Sequence, residues 1–130
     1  MNVVGIGTEI IECVRIAKMI ERHGELFLER VYTPGEVDFC SQRSSPIQHY
    51  AARWAAKEAV VKAICGRGNG VRWDQIEVPG EPGREPHVRL HGRASDWADR
   101  MGVTEVRLTL ASCRTHATAF AIALSPRPIS

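Results

Sequence analysis

Trp54-Ala55-Ala56-Lys57-Glu58-Ala59-Val60-Val61-Lys62 is the stretch on which the fold of this chain turns. It lies inside a helix-like segment, Pro46–Gly66. At 3.6 residues per turn Ile47, Ala51, Trp54, Val61 and Cys65 project to one side, and Glu58 falls among them. A carboxylate in such a stripe must be paired, protonated or bound to a cation, because leaving it bare in an apolar setting is costly. One solution is local. Glu58 and Lys62 stand at i,i+4 in the favourable order, a pairing that stabilises a helix by about 0.2–0.5 kcal/mol. The other solution needs a second carboxylate from elsewhere in the chain.

Asn2-Val3-Val4-Gly5-Ile6-Gly7-Thr8-Glu9-Ile10-Ile11 supplies one. The run reads as a buried strand, rich in β-branched residues, whose two glycines permit close backbone approach. Glu9 lies near its end, where a lone carboxylate is ordinarily solvated. A carboxylate at a strand end and another inside a helix stripe together suit a hard divalent cation with oxygen ligands. Mg2+ fits best, since it takes one or two protein carboxylates and completes its shell with water and substrate phosphates.

Outward from these two segments the chain reads as alternating short elements. Glu12–His23 has helical composition and stops at Gly24, a natural C-cap. Glu25–Val31 is a short helix, and Thr33-Pro34-Gly35-Glu36 opens a third with Thr at the N-cap, Pro at N1 and Glu at N3, running to Ser41. Ser44-Ser45-Pro46 starts the long helix, which is expected to stop at Gly66. Strands are expected at Gln75–Val78, His87–Leu90, Glu105–Ser112 and Thr115–Ala123, with a helix at Arg93–Arg100 and a hairpin through Cys113-Arg114. Pro79–Pro86 is a loop. Gly66-Arg67-Gly68-Asn69-Gly70 is glycine-rich but follows a helix, so it meets a negative helix end and is not a phosphate-cradling loop. Arg67 and Arg72 reach a phosphate only through their side chains.

With 130 residues the chain fits a single domain, 1–130, and 17 basic against 15 acidic side chains leave a net charge of +2. That balance excludes a general nucleic-acid binder. The sequence has neither an apolar run of about 18 residues nor a secretory leader, so a cytoplasmic location and no membrane span are expected. Cys13, Cys40, Cys65 and Cys113 form no C-x-x-C pair and read as structural thiols. His87 and His91 share one face of an expected strand, without the further ligands that a metal site needs. On the first helix Arg15, Lys18, Met19 and Arg22 fall at i, i+3, i+4 and i+7. They form a basic stripe that is either a solvated face or a docking surface.

The opening Gly5-Ile6-Gly7-Thr8-Glu9-Ile10-Ile11-Glu12 and the helix core Arg53-Trp54-Ala55-Ala56-Lys57-Glu58-Ala59-Val60-Val61-Lys62-Ala63 together resemble the holo-[acyl-carrier-protein] synthases, the small bacterial 4'-phosphopantetheinyl transferases. The resemblance runs from Val4 to about Leu124. It implies an α/β (α+β) domain, with a small antiparallel or mixed sheet packed on one long helix and several shorter ones. It implies transfer of the 4'-phosphopantetheine arm of coenzyme A to a serine of an acyl carrier protein, releasing adenosine 3',5'-bisphosphate, in the service of fatty acid biosynthesis. Mg2+ would be held by Glu9 and Glu58, with Lys62 neutralising charge and Glu58 or a metal-held water as base. Arg53, Lys62, Gly66, Arg67 and Gly68 would meet coenzyme A. Arg15, Met19 and Arg22 would meet the acidic carrier, and the assembly would be a homotrimer. Two positions depart from the pattern. Glu9 stands where Asp is usual, and Ser112 is followed by Cys113 where a histidine is common, so that histidine contact is either missing or supplied from elsewhere, with His116 the candidate. The rival from another class is a non-catalytic module that binds coenzyme A or a nucleotide, and a third reading is a purely structural oligomer.

Overall fold

The computed structural model describes residues 1–80 and 85–126. In chain order the elements are β1 (Asn2–Glu12), α1 (Cys13–His23), α2 (Glu25–Val31), α3 (Pro34–Ser41), α4 (Pro46–Ala63), β2 (Ile76–Glu77), β3 (Arg89–Leu90), α5 (Gly92–Arg100), β4 (Glu105–Ser112) and β5 (His116–Ser125). A 3-10 turn, Trp73–Gln75, precedes β2. β1, β5 and β4 pair in that order as an antiparallel sheet, and β2 and β3 form a separate short ribbon. The larger sheet is antiparallel throughout, with α4 lying across it. The expected loop after β2 falls partly on residues 81–84, outside the described residues.

Small residues set how close strand and helix come. Gly7 pairs opposite Ala121 and Glu9 opposite Ala119, and Ala117, Ala119, Ala121 and Ala123 of β5 are all buried on the α4 side. A Cβ at Gly5 would collide with the carbonyl oxygen of Ala63, and one at Gly7 with that of Ala59. Two residues forward along β1 therefore match four residues backward along α4, each step spanning about 6–7 Å. One more step carries Glu9 to the level of the turn that contains Ala55 and Glu58.

The structure corrects the expected stripe on α4. From Tyr50 to Ala63 every residue but Trp54 and Lys62 is buried, so the helix is enclosed on almost all sides. Its alanines leave room for the sheet, α1, α3 and β2 to pack around it. The consequence is largest at Lys57, a charged side chain that is fully buried. Its Nζ lies 2.7 Å from Glu36 Oε1 and also donates to the carbonyls of Trp73 (3.0 Å) and Ile76 (2.5 Å). Burial pushes the Lys57 pKa down, opposed by the Glu36 carboxylate. Glu36 in turn accepts from the backbone N–H groups of Thr33 and Val78, and the capping box with Thr33 forms as expected. Every polar atom of this pair is engaged, which is what makes a buried ion pair tolerable.

α4 also ends earlier than expected, at Ala63. Cys65 adopts a left-handed conformation (φ 57°), its N–H bonds to Lys62 O, and Gly66 N–H bonds to Val61 O, 2.9 Å away. That is a Schellman closure with cysteine at the position glycine usually takes, so Gly66 follows the cap instead of making it. Cys65 is consequently exposed, as is Cys113, while Cys13 and Cys40 are buried. Two of the four expected structural thiols are thus on the surface.

Candidate active site

β1 and α4 bring Glu9 and Lys62 together at one seam, with Glu58 one turn before Lys62 on α4. Gly7 and Glu9 point to the same face of β1, and that face is the one pressed against α4. Lys62 Nζ sits 3.2 Å from Glu9 Oε2 and donates to the carbonyl of Thr8 at 2.9 Å. Glu9 Oε1 accepts the N–H of Ile10. The local pairing of Glu58 with Lys62 does not occur, because Lys62 turns across the seam to β1. Glu58 instead takes two partners from beyond its own helix. Arg67 Nη2 lies 2.9 Å from Oε2, and the indole Nε1–H of Trp73 donates to Oε1 at 2.5 Å. The Glu58 side chain is 9% exposed and that of Arg67 68% exposed, so a buried carboxylate meets a yielding, solvent-borne cation. A cavity of about 390 Å³ opens at the seam, lined by Thr8, Glu9, Ile10 and Lys62 with Thr118 and Phe120 of β5.

The remaining expected site residues divide into three groups. Gly66, Arg67 and Gly68 lie on the turn after α4, where Gly68 has φ +81°, and Arg67 reaches back to Glu58. Arg53 is not drawn into the seam. It is buried, its Nε donates to the carbonyl of Val78, and its guanidinium stacks over Phe39 at 4.5 Å. In the single chain that geometry is a packing role. Arg15, Met19 and Arg22 line a groove of about 740 Å³ floored by Trp54 and Trp73, to which Lys18 and Arg30 add further positive charge. The basic stripe is therefore one wall of a cleft. His91 pairs with Glu77 at 2.9 Å, and His87 precedes the short β3 instead of sharing its face. His116 stays exposed at the hairpin, bonded to Thr115. Sequence reasoning missed Trp73 as a partner of Glu58. Its signal, an aromatic next to a charged pair after the glycine turn, carries no periodicity that could have pointed back to α4.

The donor chemistry at the seam fits a hard divalent cation. Each oxygen of Glu58 has one protein donor and keeps a lone pair, and the same holds for Glu9. Among the described residues no group of three or more His, Cys, Asp or Glu gathers, so a site for a softer metal is not formed there. Glu9 beside an open cavity and Glu58 nearby on α4 suit Mg2+ in particular, which leaves most of its shell to water and phosphate oxygens.

Residues 5–123 match the 4'-phosphopantetheinyl transferase superfamily. The chain is 46% identical over 122 residues to the holo-[acyl-carrier-protein] synthase of Rhodopirellula baltica, covering 94% of this chain and 98% of the relative. Its structure resembles the holo-[acyl-carrier-protein] synthase of Neisseria meningitidis with a TM-score of 0.84 at 29% identity, over 95% of this chain and all of that one. It also resembles the Helicobacter pylori synthase solved in complex with coenzyme A, with a TM-score of 0.77 at 28% identity, over 92% of this chain and 99% of that one.

Proposed function

Because the chain belongs to the holo-[acyl-carrier-protein] synthases of the 4'-phosphopantetheinyl transferase superfamily, we propose a reaction centred on the β1–α4 seam, in which the 4'-phosphopantetheine arm of coenzyme A passes to a serine of an acyl carrier protein. The observation that supports the site assignment is the pairing of Lys62 on α4 with Glu9 on β1 at the edge of one cavity, with Glu58 one turn before Lys62 on the same helix. Glu9 and Glu58 would hold Mg2+, which when bound offsets charge on the pyrophosphate.

The chain's own groups do the rest. The serine oxygen forms a bond to the phosphorus that carries the pantetheine arm. The bond from that phosphorus to the bridging oxygen breaks, and adenosine 3',5'-bisphosphate leaves with the electron pair. The serine proton goes to Glu58, directly or through one water. Lys62, already donating into the seam, offsets charge that develops on the phosphate oxygens. Arg67 is free to leave Glu58 for a phosphate, since its side chain is exposed and flanked by glycines. The glycine turn itself contributes reach and no helix-end field. The carrier meets the groove of Arg15, Met19 and Arg22, whose surplus of positive charge suits an acidic helical partner and speeds encounter.

The proposed assembly is a homotrimer, and the outer face of the large sheet supports burial against another surface. Ile6 and Ile10 on β1 are 60% and 59% exposed, and Phe120 on β5 adds to the same face. An apolar patch of this kind on a small domain calls for a cover. A monomer mass in sedimentation at working concentration would contradict this part of the reading. No helix among the described residues is long and apolar enough to cross a membrane; a cytoplasmic location is part of the proposal.

Intact-mass analysis of an apo acyl carrier protein incubated with this chain, coenzyme A and Mg2+ tests the proposal. One added phosphopantetheine, localised to the carrier serine, is expected. Coenzyme A binding with no mass gain across several carriers would favour the non-catalytic module instead.

A further inference from the structure

We propose that Trp73 is a positioning residue for Glu58, linking occupation of the carrier groove to the orientation of the catalytic carboxylate; the inference rests on the transferase reading above. Three attachments meet at this one residue. Its carbonyl accepts from Lys57 Nζ at 3.0 Å, and Lys57 is locked in the buried pair with Glu36. Its indole N–H donates to Glu58 Oε1 at 2.5 Å. Its ring, 39% exposed, lines the same groove as Arg15, Met19 and Arg22. The backbone is thus anchored from behind, the polar edge faces the site and the apolar face looks toward the partner.

The two donors on Glu58 differ in kind. Arg67 is a solvent-borne cation, so a phosphate that arrives competes for it. Trp73 is a neutral donor, so it fixes the direction of the carboxylate without cancelling the charge that a cation or a serine proton requires. An indole only donates, which ties the contact to an oxygen free to accept. When a carrier covers the ring, water is excluded from the Trp73–Glu58 bond, and a hydrogen bond to an ionised group gains strength as the local dielectric falls. Docking and carboxylate alignment then reinforce each other.

Trp73→Phe keeps an aromatic ring and deletes the N–H together with the five-membered ring that carries it. Losing one hydrogen bond to a charged group is expected to lower kcat by about tenfold or more. KM for coenzyme A should stay within about twofold, and the melting temperature should fall only slightly, because most of the aromatic surface is kept. Trp73→Ala should add a rise in carrier KM. A second readout needs neither turnover nor metal. With apo carrier alone in calorimetry, wild type should bind more tightly than Trp73→Phe, because a bond that docking strengthens must strengthen docking in return, and this difference should vanish when both chains also carry Glu58→Ala. A Trp73→Phe variant with wild-type kcat, or one whose kcat falls only in step with melting temperature, overturns the inference and leaves the transferase reading standing. A wild-type chain that leaves every carrier unmodified overturns both.

Discussion

Glu58 illustrates what a single residue reveals before its surroundings are known. The sequence places a carboxylate where it needs a partner, and it has two, but neither is the Lys62 that helical spacing offers. Rules for i,i+4 pairs consider one helix surface, whereas Arg67 and Trp73 come from the segment beyond the C-cap and Lys62 is claimed by Glu9 on β1. Lys57 was illegible for a similar reason: a lysine among alanines reads as a solvated face until α3 folds Glu36 onto it. Burial also marks Cys40, whose thiol is pushed up from 9.0 to about 11 by desolvation, opposed by Arg53 and in turn reinforced by Glu36. The sign follows directly. The unfolded chain loses this proton first, so the contribution to stability is complete below about pH 9 and is lost as pH rises through about 11. Melting temperatures measured across that window should fall more steeply for wild type than for Cys40→Ala. Equal slopes would contradict the assignment.

At the scale of elements the strands and helices were legible where periodicity or capping chemistry was strong. The Thr33 to Glu36 capping box starts α3 as expected, and the β-branched run forms β1. Boundaries moved where the backbone closed in a way that composition does not announce, as at Cys65, which caps α4 in the left-handed region ahead of the glycine expected to do so. β1 and α4 owe their intimacy to missing side chains. Gly7→Ala would press a methyl group into the Ala59 carbonyl, backbone that cannot turn aside. Overpacking of this sort costs about 1–3 kcal/mol. Because Glu9 lies two residues on, activity should fall further than the lost stability explains. Thermal melts and turnover on the same preparation check this, and a variant with native melting and turnover would show that the strand does not rest on the helix as described.

At the scale of the whole molecule, the class of fold and the two carboxylate-bearing segments were readable because each motif is continuous in sequence. The groove was not, since α1, Trp54 and Trp73 come from three separated stretches and only the chain's closure makes them one surface. The seam likewise exists only because β1 pairs with β5, the last strand of the sheet, beneath α4. The fold sets Glu9 on the cavity beside Lys62 and Glu58 one turn before Lys62 on α4, and these two carboxylates are the proposed protein ligands of a single Mg2+. Turnover titrated against Mg2+ after chelation, for wild type, Glu9→Ala, Glu9→Asp and Glu58→Gln beside their thermal melts, tests that most directly. Glu58→Gln should lose most activity while remaining folded, Glu9→Ala should demand far more Mg2+, and Glu9→Asp should stay active with an altered Mg2+ requirement. An unchanged Mg2+ response in both Glu9→Ala and Glu58→Gln would contradict a shared metal site.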